Sequence, residues 1–82
     1  MNNHDSFNID REIDACGLTC PLPILRARKA LSEMSSGQIL RVLSTDVAGA
    51  QDFASFAAQT GNTLVAQGES DHGVLWFLLR RK

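Results

Sequence analysis

Cys20 stands directly in front of a Pro-x-Pro sequence formed by Pro21, Leu22 and Pro23. Proline is favoured at the first position of a helix, because its missing N–H would have no partner there. The pattern therefore predicts a helix that begins at Pro21 with Cys20 as its N-cap. The N–H groups of Leu22 and Ile24 then point toward an anion at the helix end, which favours a Cys20 thiolate of lowered pKa. The alternative is a small buried apolar cysteine.

A second cysteine, Cys16, lies four residues earlier, and Gly17 between the two allows a sharp turn. Three roles for Cys16 stay open: an inert turn residue, a resolving thiol that closes a disulfide with Cys20, or a second thiol in the exchange that Cys20 carries out. The resolving role requires the Cα atoms to lie within about 7 Å. The Cys16–Cys20 spacing is too sparse for a zinc site. His4 and His72 do not stand at the spacing from the cysteines that zinc ligands usually have. We predict no metal site.

The elements before and after Cys20 form a strand, a helix and a second strand. Alternating apolar residues predict a strand over Phe7–Ala15. The helix from Pro21 to about Ser35 should end near Gly37. A strand over Ile39–Thr45 is apolar on both faces, as expected of a central strand, and a crossover connection makes the two strands parallel. The apolar stripe of the helix comprises Ile24, Ala27, Ala30, Leu31 and Met34.

Asp46 follows the second strand, and we expect it to cap a second helix that ends at Gly61. Because the carboxyl ends of parallel strands meet at one edge, Asp46 should lie near Cys20. Two roles stay open for Asp46: a structural cap, or a charge that opposes thiolate formation and, when protonated, donates a proton. The stripe predicted for this helix comprises Val47, Ala50, Phe53, Ala54, Ala57 and Ala58.

Two further strands, Thr63–Glu69 and Val74–Arg81, are joined by the turn residues 70–73 and predict a hairpin. In the last strand both sets of alternate residues are apolar, so the strand has apolar side chains on both of its faces. Two helices cover only one face of a four-stranded sheet, so one apolar set should lie on an open face. The alternative is that the tail and the loops cover it.

The composition predicts a compact globular chain. With 82 residues we expect one domain, residues 1–82, of which 1–6 are disordered. A net charge of −1 argues against direct, stable nucleic-acid binding, because that affinity depends on phosphate neutralisation. No signal sequence and no apolar run of about 18 residues is present, so we expect a cytoplasmic protein without membrane contact.

The sequence D-A-C-G-L-T-C-P-L-P, the basic helix behind it, L-R-V-L-S-T-D and a Phe-rich helix ending in T-G resemble the TusA family of small sulfurtransferases, also called SirA-like. The resemblance covers about Ile9 to Arg81. It implies an α/β (α+β) two-layer sandwich of order βαβαββ, with a four-stranded mixed sheet and two helices on one face. It also implies that Cys20 carries sulfane sulfur as a persulfide, which Cys16 would attack as a resolving thiol or receive as a second sulfur relay. We predict no cofactor.

The resemblance further implies a cysteine desulfurase or other persulfide donor and a downstream acceptor protein, in tRNA thiolation or sulfur metabolism. Pro21, Pro23 and Gly17 would support the catalytic Cys20. Two features differ from the tRNA-thiolating members, which have an acidic residue at the position of Leu22 and no cysteine at that of Cys16. Exposed residues of the first helix are the predicted partner contacts, namely Leu22, Leu25, Arg26, Arg28 and Lys29. The alternatives are that Leu25 is an ordinary exposed leucine and that the basic residues form a solvated face.

Two other functions compete with the sulfur carrier. A regulatory protein-binding module would use the open sheet face and would not need Cys20. A thiol redox protein would use Cys16 and Cys20, although their spacing is not the C-x-x-C of thioredoxin-like proteins.

Overall fold

The computed structural model describes residues 7–82. The disorder expected for residues 1–6 lies outside this range. The helices and strands follow in the predicted order βαβαββ. They are β1 (Arg11–Asp14), α1 (Leu22–Ser32), β2 (Ile39–Ser44), α2 (Gly49–Thr60), β3 (Thr63–Glu69) and β4 (Leu75–Arg80), with one 3₁₀ turn, Asp71–Gly73, between the last two strands.

The four strands form one mixed sheet of order β1-β2-β4-β3. β1 and β2 are parallel, as the crossover predicts, whereas β4 is antiparallel to both of its neighbours, β2 and β3. The last strand in the chain is therefore an inner strand of the sheet. The predicted fold class, a four-stranded mixed sheet with two helices, is confirmed.

The core lies between the helices and one face of the sheet. Leu40 and Val42 of β2 lie beside Leu79 and Phe77 of β4, and all four side chains are buried. They pack with Ala27, Ala30 and Leu31 of α1 and with Phe53, Phe56 and Ala57 of α2. Both helices thus cover the same face.

The apolar stripe of α1 faces the core as predicted, but the helix begins and ends at residues other than the predicted ones. Ala27, Ala30 and Leu31 are buried, and Ile24 and Met34 pack at the edge of the core. The helix ends at Ser32, where the N–H of the C-cap residue Glu33 donates to Ala30, and not at Gly37. Gly37 instead has a φ of +86° in the turn before β2, which glycine adopts without a steric penalty.

The predicted stripe of α2 is wrong at several positions. The helix begins at Gly49, three residues after Asp46, so Val47 precedes the helix and its exposed fraction is 93%. Ala50, Ala54 and Ala58 are exposed as well. Phe53 and Phe56 determine the rotation of the helix, because burying two aromatic rings removes far more apolar surface from water than burying alanines does. The helix ends at Gly61 as predicted, with a φ of +80°.

The outer strands are shorter or less regular than the sequence indicates. β1 spans Arg11–Asp14 and omits Phe7 and Ile9, although the N–H of Asp10 still donates to Ile39. β3 has the predicted limits and is irregular between Leu64 and Ala66. Neither helix described within residues 7–82 is long and apolar enough to span a bilayer.

Candidate active site

Two loops meet at the edge of the sheet where β1 and β2 end. The loop 15–21 leads from β1 into α1 and carries both cysteines, and the loop 45–48 leads from β2 into α2. The N–H of Ala15 donates to Leu43 and so extends the β1–β2 pairing by one residue. The parallel strands therefore deliver both loops to the same edge, as open α/β sheets commonly do at their functional sites.

Two hydrogen bonds hold the cysteine loop against its neighbour. The N–H of Gly17, which has a φ of +84°, donates to Oγ1 of Thr45 at 2.9 Å. The N–H of Cys20 donates to Oδ2 of Asp46, also at 2.9 Å. The structure thus places Asp46 beside Cys20, and it fixes the main chain of Cys20 through a residue 26 positions away.

Both carboxylate oxygens of Asp46 have a main-chain partner. Oδ2 accepts from Cys20, while Oδ1 accepts from the N–H of Ala48 at 3.1 Å. The N–H of Asp46 donates in turn to Oγ of the buried Ser44. Asp46 is therefore not the N-cap of α2, which is Ala48, but it orders the turn before that helix.

The predicted N-cap position of Cys20 is wrong. α1 begins at Leu22 with Pro21 as its N-cap and Pro23 buried in its first turn, and the Cys20–Pro21 peptide bond is cis. The N–H of Leu22 donates to the carbonyl of Thr19 at 2.9 Å, so it is not available to donate to the Cys20 sulfur. Cys20 lies in the loop before the helix, and its side chain is exposed.

The pKa of the Cys20 thiol is raised above its ordinary value, which contradicts the lowered pKa expected from a helix end. The negative charge of Asp52 is the largest cause, followed by burial of the thiol, its hydrogen bond with Asp52 and the charge of Asp46. Two carboxylates disfavour a nearby thiolate. The resting form of Cys20 is therefore the thiol.

Asp52 is the site residue that sequence analysis missed. It lies in the first turn of α2, is half-buried, and its N–H donates to Ala48. No local pattern relates residue 52 to residue 20. The available signal was an acidic residue in the first turn of a helix whose start was expected near Cys20, and helix N-termini favour such residues.

The second thiol, Cys16, is paired with Asp14. Oδ1 of Asp14 accepts from the N–H of Cys16 at 2.9 Å. A hydrogen bond to Asp14 is the main reason why the pKa of the Cys16 thiol is raised, with smaller effects from burial and from the charge of Asp14. The pKa of Asp14 is correspondingly lowered by its hydrogen bonds with the N–H and the thiol of Cys16. Cys16 therefore has its own carboxylate, separate from those beside Cys20.

Three large apolar side chains are exposed on the two segments that flank Cys20. Leu22 and Leu25 in the first turn of α1 are exposed to 44% and 51%, and Val47 in the adjacent loop to 93%. Leu22 and Leu25 were predicted to be exposed partner contacts, whereas Val47 was expected to be part of a buried stripe. We refer to Leu22, Leu25 and Val47 as the apolar collar.

The three basic residues of α1 do not share one surface. Arg26 and Lys29 line a groove between α1 and β1, in which Lys29 also pairs with Glu33 at 3.1 Å. Arg28 points the other way and lies over the ring of Phe56, 5.6 Å from its centroid. Arg26 and Lys29 therefore lie on the β1 side of the helix, and Arg28 belongs to the contact between the helices. Across residues 7–82, no three His, Cys, Asp or Glu side chains are grouped to hold a metal ion.

Comparisons with known proteins agree with this fold. The family model described as "Sulfurtransferase TusA" matches residues 11–81. A solved structure, the SirA-like protein from Desulfitobacterium hafniense, has 32% sequence identity and a TM-score of 0.77, covering 85% of this chain and 95% of that one. The chain therefore belongs to the TusA family.

Two relatives that carry the name sulfur carrier protein TusA are similar over nearly their whole length. The sulfur carrier protein TusA of Allochromatium vinosum is 50% identical over 74 residues, covering 90% of this chain and 96% of the relative. The sulfur carrier protein TusA of Pseudomonas syringae is 30% identical over 78 residues, covering 95% of this chain and 92% of the relative. Both matches therefore span nearly the whole length of these two relatives.

Proposed function

We propose that this protein is a cytoplasmic sulfur carrier that accepts sulfane sulfur as a persulfide on Cys20 and passes it to an acceptor protein. The donor is a cysteine desulfurase or another protein persulfide. The observation that carries the proposal is the position of Cys20, an exposed thiol in front of Pro21 and Pro23 whose main chain is fixed by Asp46. Relatives that are named sulfur carriers support it.

The transfer consists of two thiol exchanges. In the first, the Cys20 sulfur attacks the terminal sulfur of the donor persulfide, the donor S–S bond breaks, and its electron pair leaves on the donor thiolate. Cys20 then holds one additional sulfur. In the second, an acceptor thiolate attacks that terminal sulfur and Cys20 is released. Neither exchange requires a cofactor or an external oxidant, because each S–S bond broken is replaced by another.

An exposed sulfur is needed because Cys20 must enter two different partner sites. The apolar collar presents exposed apolar surface on the two segments that flank Cys20, and Arg26 and Lys29 add positive charge on the β1 side of α1. Burial of exposed apolar side chains in a contact removes their surface from water and so favours association. The partner sites are therefore expected to be apolar around their own cysteine, with acidic residues at the rim.

Sulfur loading tests the proposal directly. The reduced protein is incubated with a cysteine desulfurase and cysteine, its intact mass is measured, and dithiothreitol is then added. We expect a gain of one sulfur atom that the reductant removes, and transfer of that sulfur when a thiol acceptor is added instead. If several desulfurases leave the mass unchanged, Cys20 is not a carrier and the proposal is wrong.

The apolar collar provides a prediction about docking. In the double variant Leu25→Ser and Val47→Ser, KM for the desulfurase should rise about thirtyfold, because two apolar contacts that the partner buries contribute on the order of 1 kcal/mol each. The rate at saturation should change little, since these side chains contribute to binding and not to the exchange. Steady-state loading kinetics measure both constants.

Gln59→Ala is the matched control, because Gln59 is exposed on the last turn of α2 and away from the collar. Its KM should equal that of the wild type. An unchanged KM in the collar variant would show that the partner does not bind over these residues.

A regulatory protein-binding module is the second candidate, and the open face of the sheet favours it. The indole of Trp76 lies over Gly68, where an added Cβ would come within 2.5 Å of the Trp76 ring. Leu43 and Ala66 are half-exposed on the same face. A module of this kind retains its function when Cys20 is replaced, and a carrier loses it.

A further inference from the structure

The loop that carries Cys20 is tied to the neighbouring loop at two points, and the two acceptors are adjacent residues of the chain. The N–H of Gly17 donates to Oγ1 of Thr45, and the N–H of Cys20 donates to Oδ2 of Asp46, each at 2.9 Å. The segment from Gly17 to Cys20 is thus held at its first and its last residue. We refer to Thr45 and Asp46, with these two hydrogen bonds, as the latch.

The latch belongs to the segment that also carries one residue of the apolar collar. Val47 follows Asp46 directly and is exposed to 93%. Oδ1 of Asp46 accepts from the N–H of Ala48 at 3.1 Å, so that one carboxylate binds the main chain at Cys20 and just after Val47. The N–H of Asp46 donates to Oγ of the buried Ser44, which anchors the segment to the end of β2. Cys20 and Val47 are therefore fixed relative to each other.

We propose that Thr45 and Asp46 are positioning residues that hold the Cys20 sulfur at a fixed place relative to the apolar collar, where a donor protein docked on the collar meets it. This inference rests on the proposed carrier function, since it concerns how that function uses protein donors. Both residues act through the main chain of the cysteine loop and not through contact with the transferred sulfur.

The position of the sulfur matters because a donor protein cannot adjust freely once it is bound. The contact sets the place of the donor persulfide, and reacting atoms must lie about 3–3.5 Å apart for attack. A misplacement of about 1 Å can lower the rate about a hundredfold. A small persulfide in solution is not docked and approaches an exposed thiol from any open direction. The latch should therefore matter for protein donors and not for small ones.

The two acceptors differ in what can replace them. Thr45→Val keeps the shape of the side chain and removes its oxygen, whereas Thr45→Ser keeps the hydroxyl. Because Thr45 and Gly17 are exposed, water replaces the lost acceptor and the fold is retained. At Asp46 both oxygens face N–H donors, while the amide of Asp46→Asn offers one oxygen and an NH₂ group that is itself a donor. Asp46→Asn therefore keeps at most one of the two bonds.

Thr45→Val should separate the two kinds of donor. With a cysteine desulfurase, the rate at saturation should fall about tenfold in Thr45→Val and about a hundredfold in the double variant with Asp46→Asn, as expected for a displaced sulfur. KM of Thr45→Val should equal that of the wild type, since the collar is unchanged. Loading of Thr45→Val from glutathione persulfide should also be unchanged. Thr45→Ser should restore the rate at saturation.

Thr63→Val is the matched control. Thr63 is exposed at the first residue of β3, and its pairing through Arg80 leads to Ile39, at the end of β2 that is remote from the latch. Its rates with both donors should equal those of the wild type. Circular dichroism and thermal unfolding show whether each variant retains its fold.

Amide hydrogen exchange of the wild type tests the latch without any substitution. The N–H groups of Gly17 and Cys20 should exchange more slowly than those of an unstructured chain, although both residues are exposed. If both N–H groups exchange as in an unstructured chain, the two hydrogen bonds do not hold the loop in solution and the inference is wrong.

The kinetic outcomes that contradict the inference are specific. An equal loss with the desulfurase and with glutathione persulfide would mean that Thr45 does not act through the position of the sulfur. A higher KM at an unchanged saturated rate would assign the latch to docking alone. A slow Thr45→Ser variant would show that the hydroxyl is not the relevant group. If the wild type takes no sulfur from glutathione persulfide or from any desulfurase, the carrier function itself fails, and the two failures are thereby distinguished.

Discussion

Replacing Cys20 by serine is expected to abolish sulfur loading completely, whereas replacing Cys16 by serine should leave it intact. A serine hydroxyl cannot form a persulfide, and no other thiol of residues 7–82 lies beside Asp46 and Asp52. Cys16 has its own hydrogen-bonded carboxylate, Asp14, and its thiol is less exposed than that of Cys20. The intact mass after incubation with a desulfurase and cysteine measures loading in each variant.

The two variants are needed because a peptide map does not separate the two cysteines. Trypsin cleaves after Arg11 and Arg26, which leaves Cys16 and Cys20 in the same peptide. Circular dichroism and thermal unfolding of both variants show whether the fold is retained. Sulfur gained by Cys20→Ser, or loss of loading in Cys16→Ser, would assign the carrier role to Cys16. A mass two hydrogens lower in the loaded wild type, absent from both variants, would indicate a disulfide and a resolving role.

Phe53→Ala should destabilise the protein by about 3–5 kcal/mol, the usual cost of removing a buried aromatic ring. Phe53 is fully buried, stacked on Phe77 at 4.7 Å between ring centroids and edge-on to Phe56 at 6.3 Å. Domains have stabilities of about 0.05–0.15 kcal/mol per residue, so this loss is a large part of the total here. Urea unfolding of the variant and the wild type measures the difference.

Gln59→Ala again serves as the control, because substitutions at exposed positions usually change stability by less than about 0.5 kcal/mol. A loss below about 1 kcal/mol for Phe53→Ala would contradict the packing described between α2 and β4. The variant should also lose sulfur loading at temperatures where it is partly unfolded, since Asp52 lies one residue before Phe53 on the same helix.

The sequence predicts the elements well because their signals are local. Alternation and helical spacing identify four strands and two helices in the correct order, and α1 buries the residues that its spacing indicates. α2 was misplaced because alanine carries little hydrophobic free energy and its spacing is therefore a weak signal beside two phenylalanines. The limits of β1 depend on its pairing with β2, which the sequence of β1 alone does not contain.

Two parts of the site were predictable from the sequence. They are the local sequence around Cys20 and Pro21 and the parallel pairing of the two strands that precede the site. Asp46 was placed near Cys20 because both follow strands that end at one edge. The sign of the pKa shift was wrong because a local rule for helix ends was applied where two carboxylates from another loop and helix determine the electrostatics. Asp52 was missed for the same reason, since its contact with Cys20 exists only in the folded chain.

The inner position of β4 determines when the site around Cys20 forms during protein synthesis. α2 rests on this strand: Phe53 stacks on Phe77, and an added Cβ at Gly49 would come within 3.0 Å of the Phe77 ring. Until β4 has left the ribosome, β2 and β3 have unpaired edges and α2 has no surface to pack on. A nascent chain therefore presents Cys20 without Asp46 and Asp52 in place, as an ordinary cysteine. Chemical labelling of that thiol would report on the completion of folding.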